Sequence, residues 1–222
     1  MQQIPSEQEL KEIARQLSCP QGEAGIAMGE NMNLNNIGMT RASITALQLK
    51  GGESVLELGH GNCGHLETLL SAGDGITYQG LEISAEMQQA AQQKNTAAVA
   101  EDIAHFDLYD GTTISFEDNR FDMIFTVNTI YFWEDAPALL TEIARVLKPN
   151  GKCIITFADK SFMEQLPFTQ YGFNLFDKGR FSALIEESPL QVADFIDKDE
   201  WVTSKSGQEV NRHFIVALLN KK

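Results

Sequence analysis

Basic residues are scarce in this 222-residue chain: 17 Lys and Arg stand against 31 Asp and Glu, a formal net charge of −14. No basic run occurs, which argues against a broad nucleic-acid or anionic-membrane surface. Cysteine is equally sparse. Cys19, Cys63 and Cys153 are odd in number and far apart, which fits reduced thiols in a cytosol and no disulfide framework. No C-x-x-C or His/Cys cluster stands at ligand spacing, so no metal is expected. No apolar stretch approaches the roughly 20 residues that span a bilayer. The opening M-Q-Q-I-P-S-E has neither the basic nor the apolar region of a secretory signal. A cytoplasmic protein is the expectation.

What is present is ordinary for a folded enzyme-sized chain: 43% hydrophobic and 22% charged residues, enough for one full core. The organising stretch is V-L-E-L-G-H-G-N-C-G-H-L, Val55 to Leu66. Val55, Leu56 and Leu58 read as a short buried parallel strand. Gly59, Gly61 and Gly64 follow in G-x-G-x-x-G spacing, where glycine allows a sharp turn and a close backbone approach to a ligand. Glu57, two residues before the first glycine, suits a cationic ligand end and not a pyrophosphate.

Around this centre the patterning alternates strands and helices. Ser6 to Glu9 is a capping box opening a helix with Leu10, Ile13, Ala14 and Leu17 on one face. Residues 21–40 are rich in Gly, Asn and Met and show no clean periodicity until a helix near Ala42 to Leu49. They read either as a lid over a site or as an irregular wrap, so residues 1–50 are assigned to an N-terminal helical cap and 51–222 to the main domain. Ile76 to Ile83 is a second strand, with Ser84 as the next N-cap. Residues 95–103 suggest a short third strand ending at Asp102 and Ile103. Phe121 to Asn128 is a fourth. A helix begins at Asp135 and Pro137, and Lys148 to Gly151 ends it before a fifth strand, Lys152 to Ala158. A helix near Arg180 to Glu187 precedes two long strands, 191–204 and 209–219, joined by a turn at Ser206-Gly207. The expected fold is α/β, a Rossmann-like three-layer sandwich whose mostly parallel seven-stranded sheet ends in an antiparallel strand.

Open parallel sheets bind ligands beyond the carboxyl ends of their strands. Those ends carry Glu57, Gly59 and Gly61, then Glu82, Asp102 and Asn128, an ordered set that could hold a ligand with an amino-acid end, a ribose and a base. Together with the G-L-E-I-S strand end, the F-D-M-I-F-T-V-N strand and the L-T-E-I-A-R-V-L-K-P-N-G-K passage, the glycine loop resembles class I S-adenosylmethionine-dependent methyltransferases. The likeness covers roughly Gly52 to Ala158 and is greatest to the small-molecule branch that includes quinone-biosynthesis enzymes. It implies S-adenosylmethionine as cofactor, with Glu57, Gly59, His60 and Gly61 at its methionine end. Glu82 would take the ribose hydroxyls, Ile83 would pack on the adenine, and Asp102 and the Ile103 backbone would bind the adenine. The Asn128 carbonyl would take the ammonium. One departure is Cys63, where the family often has glycine, and it suggests a slightly displaced loop.

A sulfonium methyl is already activated, so alignment of the acceptor can supply most of the catalysis, and no nucleophile–base pair compels assignment. His60 is the best-placed histidine for acid–base work. Tyr131, Trp133 and Phe162, within the aromatic stretches after strands four and five, are the expected pocket for a small-molecule acceptor. Two other readings compete. A nicotinamide-dependent oxidoreductase would also place an acidic residue about 20 residues past the glycines, but Glu57 is ill-suited to its pyrophosphate. A non-catalytic binding module would keep the same cofactor residues.

Overall fold

In the computed structural model, which describes residues 5–203 and 209–222, the sheet forms in the order β3-β2-β1-β4-β5-β7-β6. The strands are β1 (Ser54–Leu58), β2 (Thr77–Glu82), β3 (Ala104–Leu108), β4 (Phe121–Val127), β5 (Leu147–Ala158), β6 (Leu190–Thr203) and β7 (Glu209–Lys221). The first five pair in parallel. β7 runs antiparallel between β5 and β6. This is the expected mostly parallel sheet with an antiparallel C-terminal strand, while the proposed Ser206-Gly207 turn lies outside the described residues. All five residues of β1, Ser54 and Glu57 included, are buried, as suits a central parallel strand covered on both faces.

The helices are α1 (Glu7–Ser18), α2 (Gly22–Leu47), α3 (Leu66–Leu70), α4 (Ala85–Lys94), α5 (Thr96–Ala100), α6 (Ala136–Val146), α7 (Lys160–Met163) and α8 (Lys178–Glu186). Local chemistry sets several starts. Ser6 and Glu9 exchange the two hydrogen bonds of a capping box, and Ser84 and Asp135 accept the backbone N–H groups of Met87 and Ala138. Each satisfies a donor that the first helical turn leaves free. Chain order moves outward from β1 to β2 and β3, then returns to β4 and proceeds the other way. Right-handed crossovers therefore put α3 and α4 on one face and α6 on the other, and the reversal between β1 and β4 opens a crevice at their carboxyl ends.

Three sequence expectations change. Residues 22–47 form one 26-residue helix, not an irregular segment. Its packing uses glycine in place of an apolar stripe: a Cβ on Gly29 would collide with Met87 of α4, and one on Gly38 with the Glu200 carboxylate. Its C-terminal half joins the core through Met39, Ile44 and Leu47, and its Ser43 hydroxyl bonds Thr156 of β5 at 2.7 Å. Arg212 on β7 fastens the middle of α2, donating to Asn36 Oδ1 at 2.9 Å and to the Asn35 carbonyl at 2.6 Å while pairing with Glu200. Second, β3 begins at Ala104; residues 96–100, taken for the third strand, are α5. Third, β5 starts at Leu147 and carries Lys148 to Gly151 within it, with a register shift opposite Phe121 and Met123.

Candidate cofactor and methyl-transfer site

The glycine turn leaves β1 in the left-handed region, with φ of +72° at Gly59 and +56° at Gly61. A Cβ on Gly59 would strike the Thr129 methyl, whereas nothing lies within 4 Å of one on Gly61, which faces open space. Cys63 has φ of 46°, the conformation glycine adopts freely and an L-residue reaches at a cost. Its thiol lies 3.3 Å from the Tyr78 hydroxyl. The position that departs from the family pattern thus keeps the backbone shape a glycine would take. Gly64 meets a different demand, since a Cβ there would sit 2.7 Å from Asn33 Nδ2 of α2.

Glu82 stands at the carboxyl end of β2 and is 6% exposed. Its carboxylate accepts the N–H of Gly61 at 2.9 Å, of Ile83 at 2.8 Å and of Ser84 at 3.2 Å. One acidic side chain therefore fixes the glycine turn and the β2 end together. Asn128, next after β4, has φ of 59°. Its side chain accepts from Tyr131 and from the Ala158 N–H, and among the described residues no donor takes its carbonyl.

These residues line one cavity. Glu57, Gly59, His60, Gly61, Glu82, Ile83 and Asn128 all border it, as the sequence expected. Asp102 and Ile103 do not. They precede β3, at the sheet end opposite Glu82, because that strand starts later than its apolar pattern suggests. Both Ile103 backbone groups are engaged, its N–H by the Ala98 carbonyl and its C=O by the Tyr78 N–H. The corresponding wall is formed instead by Tyr109 and Gly111, just beyond β3. Trp133 lines the cavity, joined by Phe132. Tyr131 is a core pillar behind it, 2% exposed and bonded to the Ala158 backbone, and Phe162 on α7 lies outside it. The far wall comes from α1 and α2, with Leu17, Pro20, Met32, Asn33 and Asn36. Met32, Asn33 and Asn36 fall in the segment without clean periodicity, which conceals them in the sequence.

The fit to a nucleoside that carries an amino-acid end rests on this arrangement. Gly61 leaves room where a side chain would intrude, and the Asn62 amide nitrogen is buried without a partner beside it. Two buried carboxylates face the cavity, and no Lys or Arg lines it among the described residues. Residues 56–155 match the methyltransferase domain family. Over that span, a little under half of its length, the chain resembles S-adenosylmethionine-dependent methyltransferases. It is 29% identical over 189 residues to methyltransferase GfsG of Streptomyces halstedii, covering 81% of this chain and 67% of that one. Over 122 residues it is 30% identical to phosphoethanolamine N-methyltransferase 1 of Zea mays, covering 55% of this chain and only 24% of the relative. An Aquifex aeolicus S-adenosylmethionine-dependent methyltransferase shares the fold, with a TM-score of 0.65 at 18% identity, covering 94% and 97% of the two chains.

The histidines divide by environment. The His60 ring lies edge-on to Phe106, with centroids 5.1 Å apart, and Nδ1 is 2.7 Å from the Gly61 carbonyl. Burial lowers its pKa, against the opposing pull of Glu82 and Glu57. With the Nδ1 proton given to that carbonyl, Nε2 is left as a buried acceptor without a partner. His65 is the opposite case. Burial alone would strip its proton, but the Glu57 carboxylate at 2.8 Å holds its pKa well above the usual histidine range. Glu57 also accepts the Tyr78 hydroxyl at 2.5 Å. Glu57, Cys63 and His65 bring three potential ligating atoms within 4.8 Å of one another, but each already has a hydrogen-bond partner in this network.

Proposed function

We propose that the chain transfers a methyl group to a small-molecule acceptor held against the Trp133 and Phe132 wall. The observation that carries this reading is the pair of buried carboxylates, Glu57 and Glu82, bracketing the Gly59–Gly61 turn in a cavity without a lining cation. S-adenosylmethionine supplies the activated sulfonium methyl. Glu57 and the Asn128 carbonyl suit its ammonium, Glu82 its ribose hydroxyls, and Ile83 and Tyr109 its base. The α2 wall, with Met32 and Asn33, excludes water and fixes the acceptor, the two tasks that dominate when the methyl is already reactive.

The acceptor this cavity suits is uncharged or cationic, because a phosphate or carboxylate would face two carboxylates in a low-dielectric space. The chain's role is positioning, since the methyl arrives already activated. Residues 1–50 serve as the cap of the site. Three free cysteines, two of them buried, support a reducing, cytoplasmic setting, and among the described residues no helix is long and apolar enough to cross a membrane.

Calorimetric titration with S-adenosylmethionine and S-adenosylhomocysteine tests the cofactor, with NADH as control. Micromolar binding of the first two, followed by label transfer from methyl-labelled cofactor to a panel of neutral and cationic acceptors, is the expected result. Binding of NADH alone overturns the reading.

A further inference from the structure

Building on the cofactor reading above, we propose that His65 is a positioning residue whose proton is displaced when the cofactor's ammonium binds beside Glu57. His65 Nε2 and the Tyr78 hydroxyl both lie on Glu57 Oε2, at 2.8 and 2.5 Å. Among the described residues no donor takes Oε1, and Glu57 borders the cavity. One carboxylate oxygen is thus held rigidly from behind while the other is left for a ligand. The His65 and Glu57 side chains are 4% and 3% exposed, so the pair sits where charges are weakly screened.

β1 supplies Glu57, the loop supplies Cys63 at 3.9 Å and neutral His60, and β2 supplies the Tyr78 phenol. β4 contributes only the Phe125 ring, edge-on with centroids 6.3 Å apart. Glu57 is therefore the carboxylate on which the imidazolium depends. A ligand ammonium at Oε1 would place two cations on one buried carboxylate. Near neutral pH the cation that can yield is the imidazolium. It loses the Nδ1 proton to solvent and keeps the Nε2–H bond to Glu57, so the carboxylate stays in place. Binding coupled to release of one proton strengthens with pH, by at most about tenfold per pH unit between the bound and free midpoints of His65.

The test is an NMR titration of the His65 imidazole, assigned with His65→Asn, in the free protein and with saturating S-adenosylhomocysteine, which carries the ammonium without the sulfonium. The midpoint should lie above about 6.5 in the free protein, fall when the ligand binds, and fall in Glu57→Gln without ligand. Calorimetry in two buffers of different ionisation enthalpy should show proton release. His65→Gln, which keeps a neutral donor toward Glu57, should flatten the pH dependence of the dissociation constant. Ligand binding with an unmoved midpoint and no proton release overturns this proposal and leaves the cofactor reading standing. Failure of S-adenosylhomocysteine to bind at all overturns both.

Discussion

The Glu82 carboxylate accepts the Gly61 backbone N–H at 2.9 Å, joining the end of β2 to the turn that leaves β1. The same carboxylate holds the N–H groups of Ile83 and Ser84, so its charge is shared by three backbone dipoles before any ligand arrives. Glu82→Ala removes a charged acceptor from three buried donors. Cofactor binding should weaken by about 2 kcal/mol or more, roughly thirtyfold in Kd, with a drop in thermal stability as well. Glu82→Gln keeps one acceptor oxygen and should retain more of the fold than of the binding. Equal binding by wild type and both variants in calorimetry would remove Glu82 from the site.

Gly59 and Gly61 share a left-handed backbone but differ in what surrounds them. A methyl on Gly59 meets Thr129, whose hydroxyl is pinned by Thr126 and by the Trp133 indole. Gly59→Ala should therefore cost the left-handed penalty of about 1–2 kcal/mol and a further displacement of the β4 end. Gly61→Ala carries the backbone cost alone, because its methyl enters open space. Thermal melts paired with cofactor titrations separate the two. Gly59→Ala should lose more melting temperature, and Gly61→Ala should lose more binding per degree lost.

The opposite placement of Asp102 and Tyr109 gives a control for the adenine wall. Asp102 is 90% exposed in its side chain, beside His105 at 3.5 Å, at the amino end of β3. Tyr109 lines the cavity near Glu82, where burial and the charges of Glu82 and Asp110 push its pKa up. Asp102→Ala should leave cofactor affinity within about twofold. Tyr109→Ala removes a half-buried aromatic wall, on the order of 1.5 kcal/mol, and should weaken binding about tenfold, while Tyr109→Phe should bind nearly as wild type. The reverse ranking would restore Asp102 to the site.

The same pair shows where the sequence is legible. β1 and β4 announce themselves by clustered apolar residues that suit central strands, and Ser6, Ser84 and Asp135 mark helix starts by chemistry that is local. The glycine turn is legible because positive φ restricts the residue type. The third strand fails on both counts. Ala97, Ala98, Val99 and Ala100 make an apolar run that suits a short helix as well as a strand, and α5 takes it with none of its residues buried. Helix α2 is illegible for another reason. Gly29 and Gly38 mark close approaches to Met87 and Glu200, contacts distant in sequence, which no periodicity of its own side chains encodes. The cavity wall built from Asn33 and Asn36 is lost with it.

Away from the cavity, Asp122 at the start of β4 makes the fold's stability depend on acid pH. Its carboxylate accepts the Lys148 ammonium at 2.7 Å, the Ser54 N–H at 3.0 Å and the Ser54 hydroxyl at 2.8 Å. Burial raises its pKa, but Lys148 and the Ser54 donors outweigh it and hold the carboxyl below the usual range. A depressed folded-state pKa means that the unfolded chain takes up the proton first as pH falls. The contribution is complete above the unfolded value of about 3.9 and disappears as pH drops through the folded value. Asp122→Asn should then destabilise the protein at neutral pH and differ little from wild type at the acid extreme, where Asp122 is protonated in both states. Urea melts across this range measure the difference directly. Parallel stability curves for the two proteins down to the acid limit would show that the Asp122 charge plays no part in joining β1 to β4.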